Sequence, residues 1–433
     1  MVKNRVIIIG AGVAGHGVVR QIKKEKRSDI VVVGFVDDDE KKQGLITNGV
    51  KVIGKIEDLA RIIKNGGIDQ VLVSMPSVGG NLMDRITRLV PPSIPIKILP
   101  SISSVILGKV NLSYIRDIDP SDLIGRPLIK SDQQFISEKA KGKTFLVTGG
   151  AGSIGSEIVR QLHDSGAKQI IVIDSWEEGI FNLLEELKSE QNGKPIRIKA
   201  FIGNIRDKKR IEEIISIFDI DVILHAAAYK HVPLMEDNPE EAYKTNYIGT
   251  KNILDLALKH GIKDFVLIST DKAVNPSSVM GKTKRQAELL VKKYAKKNKG
   301  CRFCVVRFGN VLNSSGSIIP KFLKQIRNHR ALTVTHLEMT RYFMSIPEAV
   351  SLVLLSWIVS KNGQILLLDM GEPVKIIDLA INLIKTHGME PYKDIGIEET
   401  GIRPGEKIHE ELSYDKRKLR PSSVERIFIA EEL

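Results

Sequence analysis

Aromatic residues make up only 5% of the 433 residues. That is too few for a surface that stacks bases or sugar rings. Two cysteines cannot build a disulfide framework, which points to a reducing compartment. Nine histidines show no HxxxH or HxH spacing, so no metal is expected. No apolar run reaches the ~20 residues a bilayer-spanning helix needs. The longest, residues 349–359, reads as a packed helix. Glycine and proline, at 35 and 17, are near ordinary usage and exclude collagen-like or low-complexity chains. No RNP motif, zinc-ligand spacing or leucine zipper accompanies the net charge of +13, so nucleic acid is not expected as a partner. Short basic clusters such as Lys292, Lys293, Lys296, Lys297 and Lys299 read as solvated helix ends, and a positive field also suits an anionic small substrate. Lys3, Arg5 and the apolar stretch after them mimic an export signal, but glycines break that stretch, and the expected location is cytoplasmic.

What the chain does contain is ample core material: 42% hydrophobic and 27% charged residues, enough length for two to three domains. The same unit occurs twice. Arg5 to Ile9 is a continuous apolar strand, followed by Gly10, Gly12 and Gly15, then Ala14, Val18 and Ile22 at helical spacing. A second strand, 30–36, ends in Asp37, 22 residues past Gly15. Further strands are expected at 70–74 and 94–99. The second unit starts with the strand 143–148, continues with Gly149, Gly152 and Gly155, and carries Ile154, Ile158 and Leu162 on a helix. Its next strand, 169–173, ends in Asp174, 19 residues after Gly155. Glycines let a backbone approach a pyrophosphate, and a helix N-terminus offers free N–H groups and a positive dipole end. Ser153 and Ile154 belong to that phosphate-binding turn. The terminal acid accepts from a ribose hydroxyl and repels a 2′-phosphate. No cation follows Asp174 in Ser175-Trp176-Glu177-Glu178, so NAD is favoured over NADP.

The expected fold class is α/β, with two Rossmann-like doubly wound parallel sheets in tandem and a small C-terminal substrate-binding lobe on the second. The expected domains are 1–111, a connecting segment 112–142 that holds Asp117, Asp119, Pro120, Asp122 and Pro127, and 143–433. A strand at 221–224 ends in Ala226, Ala227 and Ala228, small residues that admit a flat cofactor. Asn246 is expected to open the helix that follows. A strand at 265–269 leads into STDKAVNPSSVMGKTK. Cys301 and Cys304 sit in an extended strand, where three residues span ~10 Å, beyond the ~7 Å reach of a disulfide. They read as core thiols.

Gly149-x-x-Gly152-x-x-Gly155, His225-Ala-Ala-Ala and Asn246 together resemble an extended short-chain dehydrogenase/reductase. HAAAYKHVPLMEDNP, STDKAVNPSSVMGKTK, RFGNVLNSSGSIIPKF and GIRPGEKIHEEL narrow the resemblance. They are similar to the nucleoside-diphosphate-sugar 4,6-dehydratases of the polysaccharide-biosynthesis family, which act on UDP-N-acetylglucosamine. The resemblance covers about residues 110–433. Larger members carry a Rossmann unit ahead of the catalytic one, usually behind membrane helices. Without such helices this chain is read as a soluble form.

The resemblance implies a redox cycle on one sugar: oxidation at C4, loss of water across C5 and C6, and reduction at C6 to the 4-keto-6-deoxy product. It makes Asp271 the acid, Lys272 the base and Thr270 a donor to the sugar. Lys284 binds the nicotinamide ribose. Related hexose dehydratases place a glutamate where Lys272 stands, and a lysine base must be neutral. Met280 replaces the usual tyrosine and cannot exchange a proton; a methionine here resembles the branch that retains the C5 configuration. The C4 proton must leave through a water, Lys284, or Asp271 and Lys272 serving twice. Lys230 is expected near the nicotinamide and sugar. Asn310 and a turn at Pro320-Lys321 are expected at the diphosphate and sugar, with Arg403 and Glu406 closing over the nucleotide. Asn204 stands where the family has an aspartate facing the adenine, just before Ile205. A UDP-sugar 4-epimerase and a catalytically silent nucleotide-sugar-binding protein are the competing readings. A homo-oligomer is expected, because helices beside the site commonly pair subunits in this superfamily.

Overall fold

The computed structural model describes residues 3–25, 29–75, 80–99, 112, 115–118, 131–189, 197–298 and 300–431. Part of the expected connecting segment, with Asp119, Pro120, Asp122 and Pro127, lies outside them. The chain forms two compact units, each assembled from separated stretches. The first takes residues 1–128, 318–337 and 375–400; the second takes 129–317, 338–374 and 401–433.

The first unit is built on the strand Asn4–Ile9, whose last four residues are buried. Parallel partners flank it: Ile30–Val36 on one side and Gln70–Val73 on the other. Short antiparallel edges, Ile46–Thr47 and Arg116–Asp117, close a seven-stranded sheet. The helix Val13–Lys24 packs Ala14, Val18 and Val19 onto it, at the spacing seen in the sequence. Ile376–Thr386, from late in the chain, packs against Gly80–Leu89 in this unit.

The second unit carries a nine-stranded sheet. From one edge its strands are Ile198–Ile202, Gln169–Asp174, Thr144–Thr148, Val222–His225, Asp264–Thr270, Arg302–Phe308, Ile365–Leu368, Ile427–Ala430 and Leu419–Pro421. The first seven run parallel, Ile427–Ala430 runs antiparallel to them, and Leu419–Pro421 pairs antiparallel with Ile427–Ala430. Parallel strands are covered on both faces, which is why Thr144–Thr148 is buried at every residue. The strand order reverses beside Thr144–Thr148, and ligands of such sheets bind outside the strand ends at that point. The helix Ile346–Val359, Leu352, Val353 and Leu355 included, is buried nearly all round. It packs against the helices Ser153–Asp164 and Ser131–Ala140.

Two elements differ from the sequence reading. Pro320 and Lys321 lie inside the helix Ile318–Arg327, not in a turn. Proline fits the first turn of a helix, where its missing N–H has no partner to lose. Asn246 does not open a helix. It sits within a π-helical turn, Tyr243–Gly249, that joins Pro239–Ala242 to Thr250–Lys259.

Candidate active site

The turn after Thr144–Thr148 is shaped by its glycines. Gly149 has φ +67°, and a Cβ there would lie 2.5 Å from the Ala227 nitrogen. A Cβ at Gly155 would lie 2.0 Å from the Gly149 carbonyl oxygen. Gly152 caps the following helix without a side chain, so the first N–H groups stay open to an anion. A cavity of about 220 Å³ runs along this turn, lined among others by Gly152, Asp174, Asn204, Ile205, Ala226 and Ala228. Ile154 is half-buried and packs against the core beneath the turn. The Ser153 hydroxyl accepts the Ser315 N–H at 3.1 Å, which ties the turn to the segment after Asn310.

Asp174 does more than face the cavity. Its Oδ2 accepts the Ala151 N–H at 2.9 Å and its Oδ1 accepts the Trp176 N–H at 3.0 Å. Asp37 repeats this in the first unit, with Ala11 N–H at 2.8 Å and Asp39 N–H at 3.0 Å. In both units the acid therefore holds the glycine turn. The two differ in one cation: Lys42 Nζ lies 3.0 Å from Asp37. Asn204 lines the cavity, and its Oδ1 accepts the Arg206 N–H at 3.0 Å.

Behind the cavity a buried network fixes the floor. The π-helical turn aims Asn246 at the residues after Val222–His225: Oδ1 accepts Tyr229 N–H at 2.8 Å, and Nδ2 donates to Tyr229 O and Thr283 Oγ1 at 3.1 Å each. His225 is bonded at both ring nitrogens, to Thr148 at 2.6 Å and Thr250 at 3.0 Å. Burial, with Lys284 nearby, lowers its pKa to about 3, so the ring is neutral. Lys284 lies on the helix Val279–Lys297, which Ser278 caps by accepting Gly281 N–H. Its Nζ donates to the Ile268 carbonyl at 2.6 Å, and burial lowers its pKa to about 8. Lys230 follows the alanines on the exposed rim.

Thr270, Asp271 and Lys272 stand together where the strand Asp264–Thr270 ends. Asp271 is fully buried. Its Oδ1 accepts from Thr270 Oγ1 at 2.8 Å and from Lys272 Nζ at 3.0 Å, while its Oδ2 has no hydrogen-bond partner. The Thr270 hydroxyl is thus turned toward Asp271; the sequence had assigned it to the sugar. Asn310 accepts from Lys272 Nζ at 3.1 Å. A second acidic group, absent from the sequence reading, completes the cluster: Glu410 Oε1 lies 3.7 Å from Lys272 Nζ. Burial pushes the Glu410 carboxyl up, Lys272 pulls it down, and Asp271 raises it again; the net shift is upward.

Directly behind this cluster is a dry ion pair. Arg307 and Glu288 are both fully buried, with Arg307 Nε 3.0 Å and Nη2 2.8 Å from the two carboxylate oxygens. Ser269, the residue before Thr270, donates to Glu288 at 2.6 Å, and Arg285 Nη1 adds a contact at 3.1 Å.

Arg403 and Glu406 pair at 2.5 Å. The second Glu406 oxygen, Oε2, is buried without a partner, an acceptor open to a hydroxyl. Ser277 donates to the Gly405 carbonyl at 2.9 Å and holds this loop beside the helix Val279–Lys297. Met280 is buried in an apolar cluster with Val232, Met235 and Ala242. Lys321 lies on the helix Ile318–Arg327, which belongs to the first unit. Cys301 and Cys304 are free, and burial raises both thiol pKa values. A cavity of about 250 Å³ beside Arg285, Tyr414, Lys418 and Glu431 contains none of the predicted site residues.

Comparison with known proteins matches the chain in two stretches. Residues 145–432 match the family described as polysaccharide biosynthesis protein, and residues 2–93 match a CoA-binding domain. The chain is 42% identical over 424 residues to the capsular polysaccharide biosynthesis protein CapD of Staphylococcus aureus, covering 98% of this chain and 70% of the relative. It is 35% identical over 272 residues to an inverting UDP-N-acetylglucosamine 4,6-dehydratase of Campylobacter jejuni, 62% of this chain and 77% of that one. It is 34% identical over 275 residues to a UDP-glucose 4-epimerase of Rickettsia canadensis, again 62% and 77%.

Proposed function

Since the chain belongs to the polysaccharide biosynthesis protein family, we propose that it is a UDP-sugar 4,6-dehydratase using NAD, with UDP-N-acetylglucosamine as substrate. The observation that carries this reading is the orphaned oxygen of Asp271. A carboxylate with no exposed surface and one unpartnered oxygen, beside a lysine at a strand end, is arranged to exchange a proton with a ligand.

The residues around the glycine turn fit a dinucleotide. Gly149, Gly152 and the uncapped helix behind them leave room and N–H donors for a pyrophosphate, Asp174 stands at the ribose, and Ala226 and Ala227 line the same cavity. NAD, when bound there, supplies a reversible two-electron acceptor for the C4 carbinol. Lys284, held by the Ile268 carbonyl, lies beneath that position as a buried cation. Glu406 accepts from the uridine ribose, and Arg403 grips a phosphate oxygen.

The proton account then closes on the chain's own groups. Met280 has no proton to trade, so Asp271 takes the C4 hydroxyl proton on its free oxygen. It gives that proton to the departing C6 hydroxyl, which leaves as water. Lys272 takes the C5 proton and returns it to C5. C4 ends as a ketone and C6 as a methyl group. One water is lost, and the redox change stays within the sugar. A methionine at 280 supports retention at C5.

The test is a mass measurement on UDP-N-acetylglucosamine incubated with the protein and NAD. Loss of one water is the expected result. An unchanged mass with an axial 4-hydroxyl supports the epimerase, and an unaltered sugar supports a silent binding protein.

A further inference from the structure

A lysine base needs a lone pair, and the surroundings of Lys272 hold it as an ammonium. Its Nζ faces Asp271 Oδ1 at 3.0 Å, Asn310 Oδ1 at 3.1 Å and Glu410 Oε1 at 3.7 Å. Two N–H donors are taken by Asp271 and Asn310 and the third faces Glu410 at ion-pair distance, so the ammonium has no lone pair to take a C5 proton. One of the three oxygens must therefore receive a proton from Lys272 before elimination starts. The Asn310 amide is not a base. Asp271 is committed to the hydroxyl protons, and its Oδ1 already accepts from Thr270. Glu410 remains. Its side chain is 4% exposed, and it reaches the cluster from the C-terminal segment after Arg403 and Glu406. The charged groups that face it are Lys272, Asp271, Arg341 and Lys407. Arg341 is itself bonded to the carbonyls of Thr340, Lys407 and Ile408, and Lys407 to that of Val274. Tyr342, from the same segment as Arg341, faces Asp271.

We infer that Glu410 is a positioning residue that takes the ammonium proton of Lys272 when substrate closes over the cluster, leaving the neutral amine that removes the C5 proton. The step balances within the pair. An N–H bond of Lys272 breaks, an O–H bond forms on Glu410, and an ion pair becomes an amine and a carboxylic acid. Excluding water favours that exchange, because isolated charges lose more solvation than neutral groups. Glu410 is suited to it: burial and the neighbouring Asp271 carboxylate already bias its carboxyl toward the protonated form. The proton returns to Lys272 when product leaves.

The inference rests on the dehydratase reading, and one pH series separates the two. Wild type, Glu410→Gln and Glu410→Asp are compared for kcat on UDP-N-acetylglucosamine between about pH 6 and 8, scored by loss of water. With Glu410 holding the proton, the substrate complex keeps its proton count. Wild type and Glu410→Asp then give flat profiles. Glutamine cannot take the proton, and Lys272 must shed it to solvent. The kcat of Glu410→Gln at neutral pH falls at least about tenfold and climbs about tenfold per pH unit. A mere counter-ion predicts the opposite sign. Removing its charge eases deprotonation of Lys272, so the wild type slopes and the glutamine variant rises at lower pH. That outcome, or identical profiles for wild type and Glu410→Gln, overturns the inference and leaves the dehydratase reading intact. A wild type that removes no water overturns the reading and the inference with it. If Glu410→Gln does not fold, judged by its melting curve, the wild-type slope decides: flat supports the inference and unit slope overturns it.

Discussion

Replacing Arg307 with methionine would leave the Glu288 carboxylate, buried between the helix Val279–Lys297 and the sheet, without its bidentate partner. Both side chains have no exposed surface, and the two contacts are 3.0 and 2.8 Å. Breaking a buried pair from one side costs about 3–5 kcal/mol, because the remaining charge stays desolvated. Ser269 and Arg285 still reach Glu288, which puts the expected loss near the lower end, about 3 kcal/mol. The pH dependence carries a sign. Burial pushes the Glu288 carboxyl up, but Arg307, Ser269 and Arg285 together hold it below the usual value. In the wild type that pairing adds stability above about pH 4.3, the unfolded glutamate value, and the contribution is lost as pH falls through the folded value. In Arg307→Met the burial effect dominates and the carboxyl moves above the unfolded value. Protonation then relieves the variant, and its deficit shrinks as pH is lowered from 7 toward about 5. Urea unfolding followed by tryptophan fluorescence is the assay. Both tryptophans, Trp176 and Trp357, belong to the second unit, and Trp357 is buried edge-on against Phe145. Glu288→Leu combined with Arg307→Met should recover most of the loss, since an apolar pair of similar volume needs no solvation. A single-variant loss under about 1 kcal/mol, a deficit independent of pH, or a double variant no more stable than the single would refute the argument.

Other outcomes follow from the site. Asp271→Asn keeps the shape around Thr270 and Lys272 but has no proton to give, so water loss should slow ~10²- to 10⁴-fold with UDP-sugar affinity retained; a near-normal rate would remove Asp271 from the chemistry. Met280→Leu preserves the apolar cluster with Val232, Met235 and Ala242 and should keep dehydration within about threefold of wild type, since volume-conserving swaps cost little. A hundred-fold loss in a folded Met280→Leu protein would give the thioether a role denied to it here. NAD should bind at least about fivefold more tightly than NADP, because a 2′-phosphate beside the Asp174 carboxylate is repelled by ~1 kcal/mol even when solvated. Equal affinities in titrations of the two would count against the ribose assignment.

Much of this was legible because it is local. The glycines, the helix after them and Asp174 follow one another along the chain, and a buried parallel strand writes itself as an apolar run. The Thr270-Asp271-Lys272 cluster was legible for the same reason. Glu410 was not. It comes from a distant segment, and no local spacing joins it to Lys272; the only signal was its place in GIRPGEKIHEEL, where Arg403 and Glu406 drew the attention. Lys321, expected at the diphosphate from its neighbourhood in the chain, lies on a stretch that belongs to the first unit, a crossing no local spacing announces. The second duty of Asp174, holding Ala151 and Trp176, was hidden because a side chain that bonds its own turn leaves no periodic trace.

The π-helical turn at Tyr243–Gly249 makes the number of residues there matter in a way their identity does not. Such a turn takes up one residue more than an α-helical one, and each residue of an α-helix advances the chain by about 100°. Losing any one residue from the stretch would let ordinary helical bonding resume with the flanking helices kept in register, and the widened turn that offsets Asn246 from the α-helical path would be gone. Asn246 would no longer meet Tyr229 and Thr283 together, and the floor under Ala226 to Ala228 would lose its fastening. The exposed members, such as Tyr243 and Lys244, have room to be exchanged for other side chains. The stretch behaves as a fixed-length spacer: permissive to spelling, intolerant of a missing letter.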